Sequence, residues 1–162
     1  MTAAGNSAPS APFVETIAAE VRYAETDQMG VVHHAVYPIW FELARTALCK
    51  RSGLSYAEVE QLGYFLMVTA VNVRYRRGAH YGDVVEVGCV VERAASRGLT
   101  FAYSVRRRPK GGDDANKPGP LLASGTTEHI WVARESGRPT RPPAALQTTF
   151  ERLVTPADAL GG

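Results

Sequence analysis

The sequence predicts one α+β domain in which an antiparallel sheet wraps around a long helix. Its 162 residues, 45% hydrophobic and 21% charged, suit a single domain with its own core. One segment has apolar residues at helical spacing, and the segments after it alternate apolar and polar residues. A sheet with one apolar face must cover that face, and an apolar helix in the same chain can do so.

The long helix is predicted to begin at Val36 and to end at Gly53. Apolar residues recur there at the i, i+3, i+4, i+7 spacing of a helix that is buried over much of its circumference. Glycine is a common helix terminator. The residues of the apolar pattern are Val36, Ile39, Trp40, Leu43, Ala44, Ala47 and Leu48.

Strands are predicted wherever apolar residues alternate with a period of two. They are expected at residues 13–24, 67–76, 84–93, 99–107 and 121–132. The short joins after the second and third strands favour an antiparallel meander. Two shorter helices are expected, over 55–62, where Ser55 can cap the first turn, and over 144–154.

The domain is expected to span residues 13–155, between flexible tails at 1–12 and 156–162. The first tail lacks the basic and apolar regions of a secretion signal, and no apolar run reaches the roughly 18 residues needed for a membrane span. Two cysteines without a CxxC motif are typical of a reducing compartment. These features predict a cytoplasmic protein.

Composition and motifs exclude several classes of function. A net charge of +2 is too balanced to indicate a nucleic-acid-binding protein. The four histidines lack the spacing of metal ligands, and the common phosphate-binding and hydrolase motifs are absent from the sequence. We therefore expect no metal and no cofactor.

One polar cluster, comprising Asp27, Gly30, His33, His34 and Tyr37, lies between the first strand and the long helix. Free N–H groups at a helix N-terminus can stabilise an oxyanion, and a nearby carboxylate can act as a nucleophile or general base. Alternatively, Asp27 caps a turn while His34 packs or caps the helix. Spacing alone leaves both interpretations open.

Residues 21–45 carry a more specific signal. They match R-Y-x-E-T-D-x-x-G-V-V-x-H-x-x-Y, followed by E-x-A-R on the helix. This segment resembles the opening of the 4-hydroxybenzoyl-CoA thioesterase family, in particular its YbgC-like acyl-CoA thioesterase branch. A looser resemblance extends to about Val132, in the order of elements and in the run Arg74-Tyr75-Arg76-Arg77 followed by Gly82 and Asp83. It implies the hotdog fold, a central helix wrapped by an antiparallel sheet of five or more strands.

The resemblance also implies roles for the polar cluster. Asp27 aligns with the catalytic aspartate, which attacks the thioester or activates water. His34 aligns with the residue whose backbone N–H polarises the thioester carbonyl, so it is the second expected catalytic residue. Gly30, His33 and Tyr37 are expected to shape the substrate site. His33 departs from the aromatic residue that is usual at its position.

CoA carries phosphates, so a basic surface is expected for its binding. Residues 74–110 hold nine Lys and Arg against three Asp and Glu. Arg74, Arg76 and Arg97 are the expected CoA-binding residues of this segment. The resemblance further implies a homodimer or homotetramer, because active sites of this fold form at a dimer interface.

The resulting prediction is an acyl-CoA thioesterase that cleaves a small-to-medium acyl-CoA thioester to free acid and CoA. Two alternatives stay open. One is a non-catalytic acyl-CoA-binding module with the same fold. The other is a hotdog hydratase or dehydratase, although those enzymes usually place their histidine and acid differently.

Overall fold

Five antiparallel strands form a single sheet in the computed structural model, which describes residues 11–111 and 117–161. The strands are β1 (Glu15–Glu20), β2 (Tyr64–Tyr75), β3 (Val84–Ala95), β4 (Gly98–Arg107) and β5 (Leu121–Ala133). Their order across the sheet is β1-β3-β4-β5-β2, so β1 and β2 are the edge strands. Residues 1–10, most of the predicted N-terminal tail, lie outside the described ranges.

Among the described residues, three α-helices accompany the sheet: α1 (Val36–Arg51), α2 (Tyr56–Gln61) and α3 (Ala144–Leu153). The predicted start of α1 at Val36 is confirmed, and Gly53 follows its end in a left-handed conformation, with φ of +83°. Ser55 caps α2 through reciprocal hydrogen bonds with Glu58, as its spacing predicts.

The core lies between α1 and one face of the sheet, called here the inner face. Phe41 of α1 stacks on Tyr103 of β4, with ring centroids 4.2 Å apart and planes 6° apart. Helix and sheet come so close that a Cβ added at Gly125 of β5 would lie 2.8 Å from the Phe41 ring. The predicted α+β architecture, a sheet packed around a long helix, is therefore confirmed.

Three details of the predicted helix and strands are wrong. Ile39 and Leu43 belong to the apolar pattern of α1, yet they are 53% and 50% exposed in the protomer. The first strand stops at Glu20 rather than residue 24, because Arg22 and Glu25 bond to each other and close a short 3-10 helix. The second strand begins at Tyr64, three residues before its expected start at 67.

The predicted C-terminal tail contains a second 3-10 helix, Ala157–Leu160. This helix packs on the outer face of the sheet, where a Cβ added at Gly88 would lie 2.9 Å from a methyl carbon of Leu160. The Arg106 guanidinium donates to the Gly161 carbonyl and adds a polar contact. Within the described ranges, no helix is long and apolar enough to cross a membrane.

Candidate active site

The polar cluster begins with a tight hairpin, residues 26–32, that follows the first 3-10 helix. The Asp27 amide donates to the Val31 carbonyl at 2.9 Å, and the Gly30 amide donates to the Asp27 carbonyl at 3.0 Å. Gly30 has φ of +74°, a conformation that other residues adopt only with strain. Gly30 therefore forms the turn between the acid and the helix, as expected.

The Asp27 carboxylate is oriented by its own turn. Its Oδ1 atom accepts a hydrogen bond from the Met29 amide at 2.8 Å, which is the turn-capping contact that the sequence left open. Asp27 also lines a cleft of about 310 Å³, together with His34 and Tyr37. The capping contact and a position facing a cleft therefore occur together.

His33 and His34 connect this hairpin to α1, and their rings lie 4.1 Å apart. His33 organises the helix entry: its Nδ1 atom accepts from the Ala35 amide and its carbonyl accepts from the Val36 amide. The His34 amide has no hydrogen-bond acceptor among the described residues. Such an N–H group beside a cleft is available to a ligand oxygen.

Aromatic and basic residues form the remaining wall of the cleft. Tyr75, at the end of β2, donates from its hydroxyl to the His34 carbonyl at 2.8 Å, and its ring packs edge-on against Tyr37 at 5.1 Å. Burial raises the pKa of the Tyr37 hydroxyl, although the Ala79 backbone acts in the opposite direction. Arg76, Arg77 and Gly78 complete this wall.

The predicted site residues are only partly brought together. The cleft is lined by Asp27, His34, Tyr37 and Arg76, whereas His33 and Gly30 are not among its lining residues. Arg74 lies in a second cavity of about 380 Å³, the outer groove, on the outer face of the sheet. Arg76 lines both the cleft and the outer groove, so it joins the two.

Arg97 lies far from the cleft of its own protomer. It occupies the turn between β3 and β4, next to Gly98, which pairs with Ile130. The cleft lies at the opposite end of the sheet, where Tyr75 pairs with Ala123. Ile130 and Ala123 are separated by seven positions of one strand, which corresponds to roughly 23 Å.

Sequence spacing alone does not predict three of the residues that line the cleft, Tyr75, Arg77 and Gly78. Their signal was the run 74–77, which the resemblance includes, followed by Gly82 and Asp83. The run ends β2, and strand ends next to a loop are common positions for site residues. The hydrogen bond from Tyr75 to the His34 carbonyl, which no spacing predicts, shows that this end of β2 meets the site.

Comparison with known proteins identifies the family to which this chain belongs. Residues 21–150 match the family described as the thioesterase-like superfamily. The chain belongs to the thioesterase-like superfamily. This membership confirms the family predicted from residues 21–45, and with it the hotdog fold and the enzyme class, a thioester hydrolase.

The individual proteins that this chain resembles are consistent with its family assignment. A putative acyl-CoA thioesterase, YneP of Bacillus subtilis, is 38% identical over 120 residues, 74% of this chain and 80% of that protein. The structure of hypothetical protein TT1821 from Thermus thermophilus has a TM-score of 0.76 and 38% identity, and the match covers 86% of this chain and 98% of that one. A DHNA-CoA thioesterase from Staphylococcus aureus has a TM-score of 0.75 and 30% identity, with coverage of 86% and 89%.

Proposed function

We propose that this thioesterase hydrolyses a small-to-medium acyl-CoA to a free carboxylic acid and CoA at the cleft beside α1. The observation that carries the proposal is that Asp27 and His34 line one cleft, and that the His34 amide lacks an acceptor within the described chain. The cleft volume of about 310 Å³ lies at the small end of the range for ligand sites and favours a compact acyl group.

The thioester carbonyl would lie between the acid and the amide. As the carbonyl carbon becomes tetrahedral, its oxygen gains negative charge, which the His34 N–H stabilises. With Asp27 as general base, water bonds to the carbon, its proton passes to the carboxylate, and the C–S bond breaks to release the CoA thiolate. With Asp27 as nucleophile, a mixed anhydride forms as the thiolate leaves, and water then hydrolyses it.

Arg76 and Arg74 are the proposed CoA-binding residues of this protomer. Arg76, just past the end of β2, lines both the cleft and the outer groove, and Arg74, near the end of β2, lines the outer groove as well. Guanidinium groups bind phosphate through paired hydrogen bonds. The proposed path of CoA therefore leads from the cleft past Arg76 toward Arg74.

A homodimer formed through β2 is proposed as the minimal assembly. β2 is an edge strand, and its inner-face residues Val68, Val71 and Tyr75 are 44%, 47% and 50% exposed. Antiparallel pairing of two β2 strands would cover these side chains and give the unpaired backbone groups of the edge strand hydrogen-bond partners. It would also bring the far end of one sheet, including Arg97, toward the cleft of the other copy.

Thiol release from a panel of aliphatic and aromatic acyl-CoAs tests the proposed function. The Asp27→Asn variant should lose about a hundredfold or more in kcat against the best substrate, because the amide is neither a base nor a nucleophile. Glu128→Gln serves as the control, since it removes an exposed carboxylate from β5 outside the cleft.

The outcomes distinguish the remaining functions. Equal hydrolysis by wild type and Asp27→Asn would contradict the role of Asp27. Saturable CoA binding without thiol release would indicate a binding module instead. Loss or gain of an enoyl absorbance without thiol release would indicate a hydratase or dehydratase.

A further inference from the structure

The hairpin that carries Asp27 rests on a neighbouring loop segment, residues 78–80, which is called here the support segment. The Val32 amide donates to the Ala79 carbonyl at 2.8 Å, and Val31 pairs with His80 as an isolated β-bridge. A Cβ added at Gly78 would lie 2.6 Å from a methyl carbon of Val31. The hairpin and the support segment are therefore in close contact, and a shift of one requires a shift of the other.

The support segment is itself held by a partly buried ion pair. Arg107, in the last position of β4, donates from Nη2 to the Gly78 carbonyl at 2.8 Å and from Nε to Asp83 Oδ2 at 2.9 Å. The same Asp83 oxygen accepts from the His80 amide at 3.0 Å. One guanidinium and one carboxylate thus hold both ends of the support segment.

This ion pair is less exposed to water than a surface ion pair, so its loss should disturb the loop more. The Asp83 side chain is 7% exposed and that of Arg107 is 28% exposed. Burial of the Asp83 carboxyl opposes its ionisation, but the His80 amide and Arg107 outweigh burial and lower its pKa. Removing Arg107 would take from Asp83 its 2.9 Å ion-pair contact. Lys110 Nζ and His80 Nδ1 also lie within ion-pair distance of the carboxylate, but each is 3.8 Å away, so the loop is expected to rearrange.

We propose that Arg107 and Asp83 are positioning residues for catalysis. They act through Gly78 and Val31 to hold the Asp27 carboxylate against the cleft. This proposal rests on the proposed function for its catalytic consequence, whereas the mechanical link is independent of it. Displacement of a catalytic group by about 1 Å can reduce a rate about a hundredfold, so a rigid support has a direct effect on turnover.

The test compares Arg107→Gln with two controls, by kinetics and by amide hydrogen exchange. Arg108→Gln removes the neighbouring arginine, whose contact with Glu86 is more exposed, at 49% for the arginine side chain. Leu146→Ala removes a buried side chain of α3, which contributes no residue to the cleft, and controls for lost stability. Arg107→Lys keeps the charge but cannot make both guanidinium contacts.

We expect Arg107→Gln to lower kcat about tenfold or more while KM changes less than about threefold, and to speed exchange of the Val32 amide. The kcat and the Val32 exchange rate of Arg107→Lys should lie between those of wild type and Arg107→Gln. If Arg107→Gln does not fold, the Arg107→Lys measurements test the positioning role in its place. Both controls should keep wild-type kcat and Val32 protection in conditions where each variant is folded.

Two results would overturn the positioning role: unchanged Val32 exchange in the Arg107 variants, or faster exchange with kcat no lower than in Leu146→Ala. If wild-type protein releases no thiol from any acyl-CoA, the proposed function fails by itself. Val32 exchange then still decides whether Arg107 holds the hairpin.

Discussion

At the scale of single residues, Arg45 introduces a positive charge into the core. It is 7% exposed, and among the described residues no carboxylate lies within ion-pair distance of it. Its Nε donates to the Tyr56 hydroxyl at 2.6 Å, and its Nη1 donates to the Tyr103 hydroxyl at 3.4 Å. The Tyr103 and Thr127 hydroxyls are 2.7 Å apart, and Thr127 lies 2.8 Å from His129 Nε2. Hydroxyl dipoles thus replace a counter-ion along the inner face.

His129, at the end of this chain of hydrogen bonds, should make stability depend on pH. Burial and the nearby charge of Arg45 lower the pKa of its imidazole to about 3. An unfolded histidine titrates near 6.5, so between these values the unfolded state binds the extra proton. The free energy of unfolding should therefore fall as pH decreases from about 6.5, by roughly 3 kcal/mol at pH 4.

His129→Gln separates this effect from the titration of carboxylates. Glutamine cannot take up the proton, and its amide can still bond to Thr127. Urea unfolding at pH 7 and pH 4 should show a smaller loss of stability in His129→Gln than in wild type. Equal losses in the two proteins would contradict a neutral, buried His129.

At the scale of elements, the packing of α1 on the sheet depends on a gap at Gly125. A Cβ there would lie 2.3 Å from the Asn72 carbonyl oxygen of β2 as well as 2.8 Å from Phe41. Gly125→Ala should therefore cost about 1–3 kcal/mol in free energy of unfolding, as overpacked core positions do. Ser124→Ala, next to it on β5, is the control, and both are measured by thermal unfolding. A melting temperature of Gly125→Ala equal to that of the control would show that the strands move apart without cost.

The elements also show which parts of the fold a single sequence can predict. Local period and caps identify α1, α2 and the β3–β5 meander, because each pattern repeats within its own segment. Ile39 and Leu43 follow the same helical period as Trp40, so the pattern places them in the core although the protomer leaves them half exposed. Periodicity records which residues are apolar, and it does not identify the surface that covers them.

The candidate site likewise contains some residues that the sequence predicts and others that only the fold brings there. Asp27, Gly30 and His34 lie within eight residues, so one hairpin and one helix start bring them together. Tyr75 and Arg107 reach the site from the ends of β2 and β4, and their arrival depends on strand order and register. Arg97 shows the opposite outcome, since its charge suits CoA while its turn lies at the far end of the sheet.

At the scale of the whole molecule, part of the uncovered apolar surface lies on the face of the sheet that packs on α1. Val68, Val71 and Tyr75 on the inner face of β2 lie on the side of the sheet that packs on α1, where Ile39 and Leu43 are also half exposed. An exposed apolar edge strand is a site for association with another chain. A second copy that covered this surface would account for the apolar residues of α1 that one protomer leaves half exposed.

Val71→Lys tests whether a second copy covers this surface. Val71 is 47% exposed in the protomer, so lysine should be tolerated by a monomer, whereas it would bury a charge in a dimer formed through β2. Sedimentation should show a dimer for wild type and a monomer for Val71→Lys, with thiol release reduced at least tenfold if the partner completes the cleft. Thr148→Lys, on the exposed side of α3, adds the same charge elsewhere and should remain a dimer. A wild-type protein that is a monomer with full thioesterase activity would contradict the β2 interface and would show that no second copy is required for activity. Arg97 would then lie too far from any cleft to contact CoA there.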